Sequence, residues 1–384
     1  MQFEPPFAPL VYGTALRREW VADHVQVRCA MRSPSALLLL GGADSYELPA
    51  YLLAAMRLDL PVVVANFRYW SPFSVALAAA GFAPVPVGQD ALASPRVAIE
   101  MAHGGGPRPK ELLNGFSLAN ALRAGLAAGG GPELLVHLAA IAREAGEVGV
   151  SRMIRVLASE SPAIKGYSRI ADLLASLGDA LHDVRTVEGK MLKESLPKPP
   201  ETKPVEKDRL HFVSGRASGA EAVAQAPPGV EEVAGECRVF GSEDEAIEGV
   251  AERHVGKDDL LVVAGCGVRG APGLLGLDFL REALAQAGLD VPVVTDGLPP
   301  REPSGASPWV SLFTREAADG GVIGRLRDGD FLRFDLAEGR IRTSVTADEL
   351  ANREPFAKRD QPGFGYAARY AASALPALEG AGFG

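Results

Sequence analysis

Apolar and polar positions alternate along the chain in blocks that read as separate elements. Ala36–Leu40 is a short apolar run that stops at Gly41-Gly42. Glu47–Leu58 carries helical spacing, and Val62–Ala65 is β-branched and of buried character. Strand, helix and strand in that order predict a βαβ unit, with parallel pairing and a covered sheet. From Leu112 to Gly146 the pattern is helical, and "PELLVHLAAIAREAG" sets Leu134, Leu138 and Ile141 on one face before ending at Gly146.

The pattern then fails. Glu194–Asp208, "ESLPKPPETKPVEKD", holds four prolines, dense charge and no apolar period. Residues 191–210 are expected to be a linker between an N-terminal α/β domain (1–190) and a second, β-rich domain (211–384). The second domain opens with short β-type pieces. "EDEAIEGVAERH" reads as a helix with acids at its positive end. "DLLVVAG" is a strand entering a glycine-rich loop, "GLLGLDFLREALAQAG" an amphipathic helix ending at Gly288, and "VPVVTDG" another strand. "DGDFLRFDLAEGRIRTSV" alternates around an Ala-Glu-Gly-Arg turn and predicts a hairpin. In "TADEL", Thr346 and Glu349 are spaced as a capping box for a short helix.

Composition narrows the function classes. The 384 residues are 47% apolar and 23% charged, an ordinary globular balance with room for two cores. A net charge of −9 argues against a broad nucleic-acid surface. No apolar run reaches the roughly 18–20 residues that span a bilayer. The opening "MQFEPPFAPL" lacks the basic and apolar regions of a signal peptide. A cytoplasmic protein is expected, with neither nucleic acid nor membrane as partner. Cys29, Cys237 and Cys266 have no metal-ligand spacing and make no disulfide framework. They read as buried, inert thiols, with Cys266 in "GCGVRG" the one with most other potential. The histidines share no metal-ligand spacing, and His137, mid-way along an apolar helix, reads as a packed imidazole.

Several stretches, in order from about Tyr12 to Ala372, resemble the dihydroxy-acid dehydratase and phosphogluconate dehydratase family. "GDFLRFDLAEGRIRTSVTADELANRE" and "EAADGGVIGRLRDGD" are similar to its C-terminal signature. "ECRVFGSEDEAIEGVAERHVGKDDLLVVAGCGVRGAPGLLGL" resembles the approach to its "PGMPEM" loop, and "VVTDG" the strand leading to its "DGRFSG" loop. "GGGPELLVHLAAIAREAG" resembles "GGSTNAVLHLLAIAREAG". The resemblance implies an N-terminal α/β domain with a parallel sheet and a C-terminal β-rich, barrel-like swivelling domain. It also implies a homodimer and a site in the interdomain cleft. In the family an iron–sulfur cluster acts as Lewis acid on the leaving hydroxyl of a 2,3-dihydroxy acid, Mg²⁺ holds the carboxylate, and a serine alkoxide takes the α-proton. Both ends of the broken bond then receive electrostatic help.

This chain departs from that pattern at the positions that matter. The family's "GGCDK" supplies a cluster cysteine, a Mg²⁺-binding aspartate and a modified lysine ligand; here "GGADS" sets Ala43, Asp44 and Ser45 there. Alanine offers no donor atom. The stretch corresponding to a "CGGMYTANT"-like loop has no cysteine, and a further cluster cysteine belongs to a family segment expected to be missing before "YGTALRREWVADH". In "PGLLGL", Gly276 stands where "PGMPEM" has its carboxylate. One aspartate is a poor cage for a hard cation, and Asp44 reads first as the N-cap of the next helix, secondly as a ligand contact. "DGLPPREPSG" is four residues longer than "DGRFSG" and stiffened by prolines, with Ser304 at the serine position. Arg269 and Arg301 can grip a carboxylate at two points, although surface cations are the commoner case.

The expected site is therefore Ser304 as the catalytic residue and Asp44, Ser45, Arg269, Asp296 and Arg301 as substrate contacts. Asp44 is the only metal ligand. No iron–sulfur cluster is expected, and Mg²⁺ only weakly held. The function expected is binding of, or lyase or isomerase chemistry on, a small hydroxy- or keto-acid in specialised metabolism. The alternative is a non-catalytic partner subunit of a complementary dehydratase-like chain, so the assembly is a homodimer or such a heteromer.

Overall fold

A computed structural model describes residues 13–40, 46–65, 71–85, 87, 92–161, 163–167, 169–199, 205–206, 209–215, 219–271, 273–301, 307–355 and 365–384. The chain divides into two compact units. Among the described residues, the first comprises 17–206 and the second 13–16 and 209–384. The expected linker is partly built into the first unit. Leu192 is fully buried in a core with Leu173, Leu174 and Leu181, and Val205–Glu206 pairs with Ile164–Lys165. Residues 13–16, expected in the first unit, belong to the second.

The first unit runs from α1 (Thr14–Arg32, of which residues 14–16 fall in the second unit) through β1 (Leu37–Leu39), α2 (Glu47–Leu58), β2 (Val62–Val64), α3 (Pro72–Ala79), α4 (Ala93–Gly104) and α5 (Pro109–Leu112). It continues with α6 (Gly115–Ala127), α7 (Pro132–Glu144), α8 (Val150–Glu160), β3 (Ile164–Lys165), α9 (Ile170–Leu177) and β4 (Val205–Glu206). β1 and β2 pair in parallel, Leu37 against Val62. With α2 between them they form the expected βαβ unit. α2 stops at Asp59, which caps it in the left-handed conformation (φ 50°). The N-cap of α2 falls on Tyr46, which makes no side-chain cap bond. Asp44 lies outside the described residues. The helical stretch from Leu112 is broken into separate helices. Ala128 closes α6, Gly129 turns back with φ +91°, and Pro132 opens α7 where a missing N–H costs nothing.

The second unit contains β5 (Arg209–Ser214), β6 (Glu221–Ala226), β7 (Glu232–Phe240), α10 (Glu243–Ala251), β8 (Asp259–Val263), α11 (Asp278–Ala287) and β9 (Val293–Thr295). It ends with β10 (Trp309–Thr314), β11 (Phe331–Asp335), β12 (Arg340–Thr343), α12 (Ala347–Asn352) and α13 (Gly365–Ser373). The strands close into a barrel in the order β10-β6-β5-β12-β11-β7-β8-β9. β7, β8, β9 and β10 are mutually parallel, and β11 and β12 form the predicted hairpin. The fold class expected from sequence, α/β followed by a β-rich barrel, is the one found.

Alternation explains the barrel core. Leu332 and Phe334 of β11 point inward with Ala222, Ala224 and Ala226 of β6, Leu260 and Val262 of β8, and Phe313. On the other face of β8 and β9, Leu261, Val263 and Val293 pack against Leu280 and Leu284 of α11. Burial of such side chains stabilises by roughly 1.5–3 kcal/mol each. The helix predicted over Gly273–Gly288 starts only at Asp278. Gly273 sits at φ +95°, and a β-carbon added there would fall 2.3 Å from Cβ of Leu16, so residues 273–277 form a tight loop rather than a first turn. At α12, Thr346 Oγ1 accepts from the Glu349 amide (3.2 Å), and the Glu349 carboxylate accepts from Arg353 (2.7 Å). No helix among the described residues is long and apolar enough to cross a membrane.

Candidate active site

Ligands in parallel α/β sheets sit outside the carboxyl ends of the strands, where loops diverge. In the second unit those ends are Phe240, Val263, Thr295 and Thr314, and two acids meet there. Asp296 directly follows β9 and is 2% exposed. Its carboxylate accepts backbone N–H bonds from Gly265 (3.2 Å), Cys266 (2.8 Å) and Ala317 (2.9 Å). One side chain thus ties the loop after β8 to the loop after β10. Burial raises its pKa, opposed by those three amides.

Glu316 lies in the same loop cluster and was not singled out from sequence. It is 8% exposed, and both its oxygens accept from the Arg269 amide (2.9 and 3.1 Å). A β-carbon on Gly267 would fall 1.7 Å from Glu316 Oε2, so only glycine lets the loop approach this carboxyl. Burial, and then the neighbouring Asp296, push the Glu316 pKa up to about 8. Near neutrality Glu316 therefore exchanges a proton.

That shift has a stability consequence. The folded state holds the Glu316 proton to a higher pH than an unfolded glutamate, so raising the pH from the ordinary carboxylate range to about 8 destabilises the fold. The slope from this group is at most about 1.4 kcal/mol per pH unit. Glu316→Gln should flatten it, giving a variant whose stability relative to the parent rises between pH 5 and 8. Urea titrations at pH 5, 6, 7 and 8 check this; parallel curves for the two proteins would refute it.

The sequence-predicted site residues fare unevenly. Asp296 is at the loop cluster, but its carboxylate serves the backbone. Arg269 is there too. Its guanidinium binds Asp319 Oδ1 (2.9 Å) and the Ala374 carbonyl (2.9 Å). Arg301 is exposed, and its amide donates to Asp278 Oδ1 (3.0 Å), joining the loop after β9 to the start of α11. Asp44, Ser45 and Ser304 lie outside the described residues.

The first unit holds a second polar cluster. Arg18 and Glu19 of α1 are both buried, with Arg18 Nε and Nη2 on Glu19 Oε1 (3.2 and 2.8 Å). Glu19 Oε2 accepts from Arg57 Nη2 (2.7 Å), and Arg57 reaches on to Glu144 (3.1 Å). Arg18 Nη1 lies 3.3 Å from His137 Nδ1. Arginine only donates, so Nδ1 accepts and Nε2 carries the proton. Burial drives the His137 pKa down, which favours this neutral form. The packed-imidazole reading of His137 matches its place, with polar partners added. A sequence signal existed: Arg18 and Glu19 fall between Ala15 and Ala22 on the helix's apolar stripe.

The two thiols of the second unit do not fit an iron–sulfur cluster. Cys237 faces the barrel interior, its pKa pushed up to about 12 by burial and then by Asp330. Cys266 packs on the opposite face of the sheet with Leu277 and Leu280, and Cys29 is buried in α1 of the other unit. Within the second unit, Cys237 and Cys266 lie on opposite faces of one sheet and do not converge on one cluster. Among the described residues, no group of three or more histidine, cysteine, aspartate or glutamate side chains is placed to hold a metal ion.

A barrel whose parallel half carries glycine-rich loops at its carboxyl ends, after a βαβ-containing unit, is the class of architecture that the sequence motifs imply. Residues 204–381 match the Dihydroxy-acid/6-phosphogluconate dehydratase C-terminal family. The dihydroxy-acid dehydratase of Ruminiclostridium cellulolyticum is 31% identical over 312 residues, 71% of this chain and 55% of the relative. That of Pyrococcus abyssi is 29% identical over 319 residues (72% and 56%), and that of Caldanaerobacter subterraneus subsp. tengcongensis 30% over 312 (72% and 55%). The chain belongs to the dihydroxy-acid/6-phosphogluconate dehydratase family, and it spans about half the length of the curated relatives it matches.

Proposed function

We propose that this chain binds a small hydroxy- or keto-acid at the loop end of its barrel and moves a proton on it, in lyase or isomerase chemistry without an iron–sulfur cluster. The observation that carries this is Glu316. A nearly buried carboxyl with pKa about 8, at the carboxyl ends of parallel strands, is matched to proton transfer at neutral pH. Names of the relatives supply the substrate class, and the alanine, serine and glycine at positions 43, 45 and 276 support a route that does not use the family's metals. Ser304 stays in the proposal as the expected serine, and Mg²⁺, if used, is held weakly through Asp44. The setting proposed is specialised biosynthesis by a cytoplasmic homodimer.

Two engaged side chains favour a second reading. Asp296 and Arg269 spend their polar groups inside the unit, as expected of a partner subunit that has lost catalysis. One experiment separates the two. Full-length protein is melted with a panel of 2-hydroxy, 2,3-dihydroxy and 2-keto acids, and bound acids are followed by NMR for exchange of the α-proton with deuterated water. A ligand at a hundred times its Kd stabilises by about 2.7 kcal/mol. The catalytic reading expects both stabilisation and exchange, with exchange lost in Glu316→Gln. Binding without exchange favours the partner subunit, as does co-purification with a second dehydratase-like chain. Stoichiometric iron and sulfide in anaerobically prepared protein would overturn the cluster-free reading.

A further inference from the structure

The barrel is closed unevenly. β5 pairs with β6 over six residues, from Arg209–Ala226 to Ser214–Glu221, but with β12 through the single pair Arg340–Ser214. Where β5 and β12 part, a cavity of about 820 Å³ opens at the barrel end that carries the loops after β9 and β10. Its floor is barrel core, formed by Phe313, Leu332 and Leu350, each less than 5% exposed, with Val345 beside them. Asp296, Glu316, Arg269 and Arg301 do not line it.

The charge on its wall is one-sided. Arg325, Arg340 and Arg342 line the cavity, and no acidic residue does so among the described residues, in a chain whose net charge is −9. Arg325 is a fixed charge, its guanidinium held by the carbonyls of Gly320, Leu350, Ala351 and Arg353 (2.6–3.2 Å). Arg340 and Arg342 are about half exposed, and both lie on the one Glu338 carboxylate (2.8 and 3.4 Å). Two guanidiniums sharing one carboxylate leave a positive charge and forked donors at the rim, a geometry suited to a second carboxylate. An apolar floor beneath a cationic rim is the arrangement a small amphipathic ligand requires.

We propose that this groove is a binding site for a small carboxylate carrying an unbranched apolar chain. The carboxylate sits at Arg340 and Arg342, and the chain lies over Phe313, Leu332, Val345 and Leu350. The site is separate from the loop cluster of Glu316 and does not depend on the chemistry proposed there.

Calorimetric titration of the full chain with octanoate, butyrate and 1-octanol tests it. Octanoate should bind once per chain, with butyrate and 1-octanol at least ten-fold weaker. R340Q/R342Q should weaken octanoate at least ten-fold and leave 1-octanol unchanged, since the floor is intact. Should the double variant also lose 1-octanol, the single variants R340Q and R342Q apply the same criterion. The proposal is overturned if octanoate does not bind, if 1-octanol binds as tightly, or if the variants hold octanoate as the parent does.

Discussion

Glu19→Ala is expected to destabilise the first unit by about 3–5 kcal/mol, the range for removing one partner of a buried ion pair. Arg18 is fully buried, and Glu19 supplies the carboxylate that accepts from its Nε and Nη2. Alanine removes that acceptor and takes the same carboxylate from Arg57, which keeps Glu144 and Asp23. The loss therefore falls mainly on Arg18, which is fully buried and loses the acceptor of its Nε and Nη2. Replacing both partners is a different matter. R18L/E19L removes the charge together with its counter-charge and should recover most of the loss, because desolvating two ions offsets much of their attraction. Chemical denaturation followed by the fluorescence of Trp20, on the same helix, measures all three variants. A loss below about 1 kcal/mol for E19A would show that the pair is not isolated from water.

The same network has an acid limb. Burial acts to raise the Glu19 pKa, but Arg18 and Arg57 outweigh it and hold the carboxyl below its usual range. Its folded pKa is depressed, so its contribution is present above the ordinary glutamate pKa and fades as pH falls through the folded value. Parent and E19A stability should converge in acid. His137 acts in the same direction. Burial keeps it neutral, and stability falls as the pH drops far enough to protonate it in the unfolded chain.

How much of this could be read from sequence depends on how local each feature is. α2 was legible to the residue, because helical spacing, an apolar flank and the following β-branched run all lie within Leu37–Val64. The hairpin of β11 and β12 was legible for the same reason: its alternation and its turn at Gly339 are contiguous. Barrel closure was not legible, since the pairing of β10 with β6 joins residues more than eighty apart. The late start of α11 had a local sign in Gly273, but the contact with Leu16 that dictates the loop comes from the other end of the chain. At the site, Asp296 was found through its motif, yet its task of gathering amides from Gly265, Cys266 and Ala317 is a tertiary fact. Glu316, in "TREAADGG", looks like any solvated acid. Its burial is created by Gly267 and Asp296, brought to it from 49 and 20 residues away.

Asp296→Ala should therefore be among the most damaging changes in the second unit. Three backbone amides lose their acceptor at once, two in the loop after β8 and one in the loop after β10. A buried donor left unsatisfied costs about 1–3 kcal/mol. Partial relaxation into solvent lowers the sum, and a net loss of about 3–6 kcal/mol is expected. Asp296→Asn separates acceptor from charge. With its carbonyl oxygen in the Oδ2 place it keeps the amides of Gly265 and Ala317, one from each loop, while its NH₂ faces the Cys266 N–H, so an intermediate loss of about 2–3 kcal/mol follows. The two variants differ in a second respect. Asp296 is one of the causes that raise the Glu316 pKa, and removing its charge lets Glu316 ionise at lower pH. The pH-dependent fall in stability should then shift toward acid in D296N, while a bystander carboxylate would leave it in place. Denaturant titrations of D296N across pH 5–8, with Glu316→Gln as the reference lacking that titration, decide whether these two acids act as a coupled pair holding the loops together.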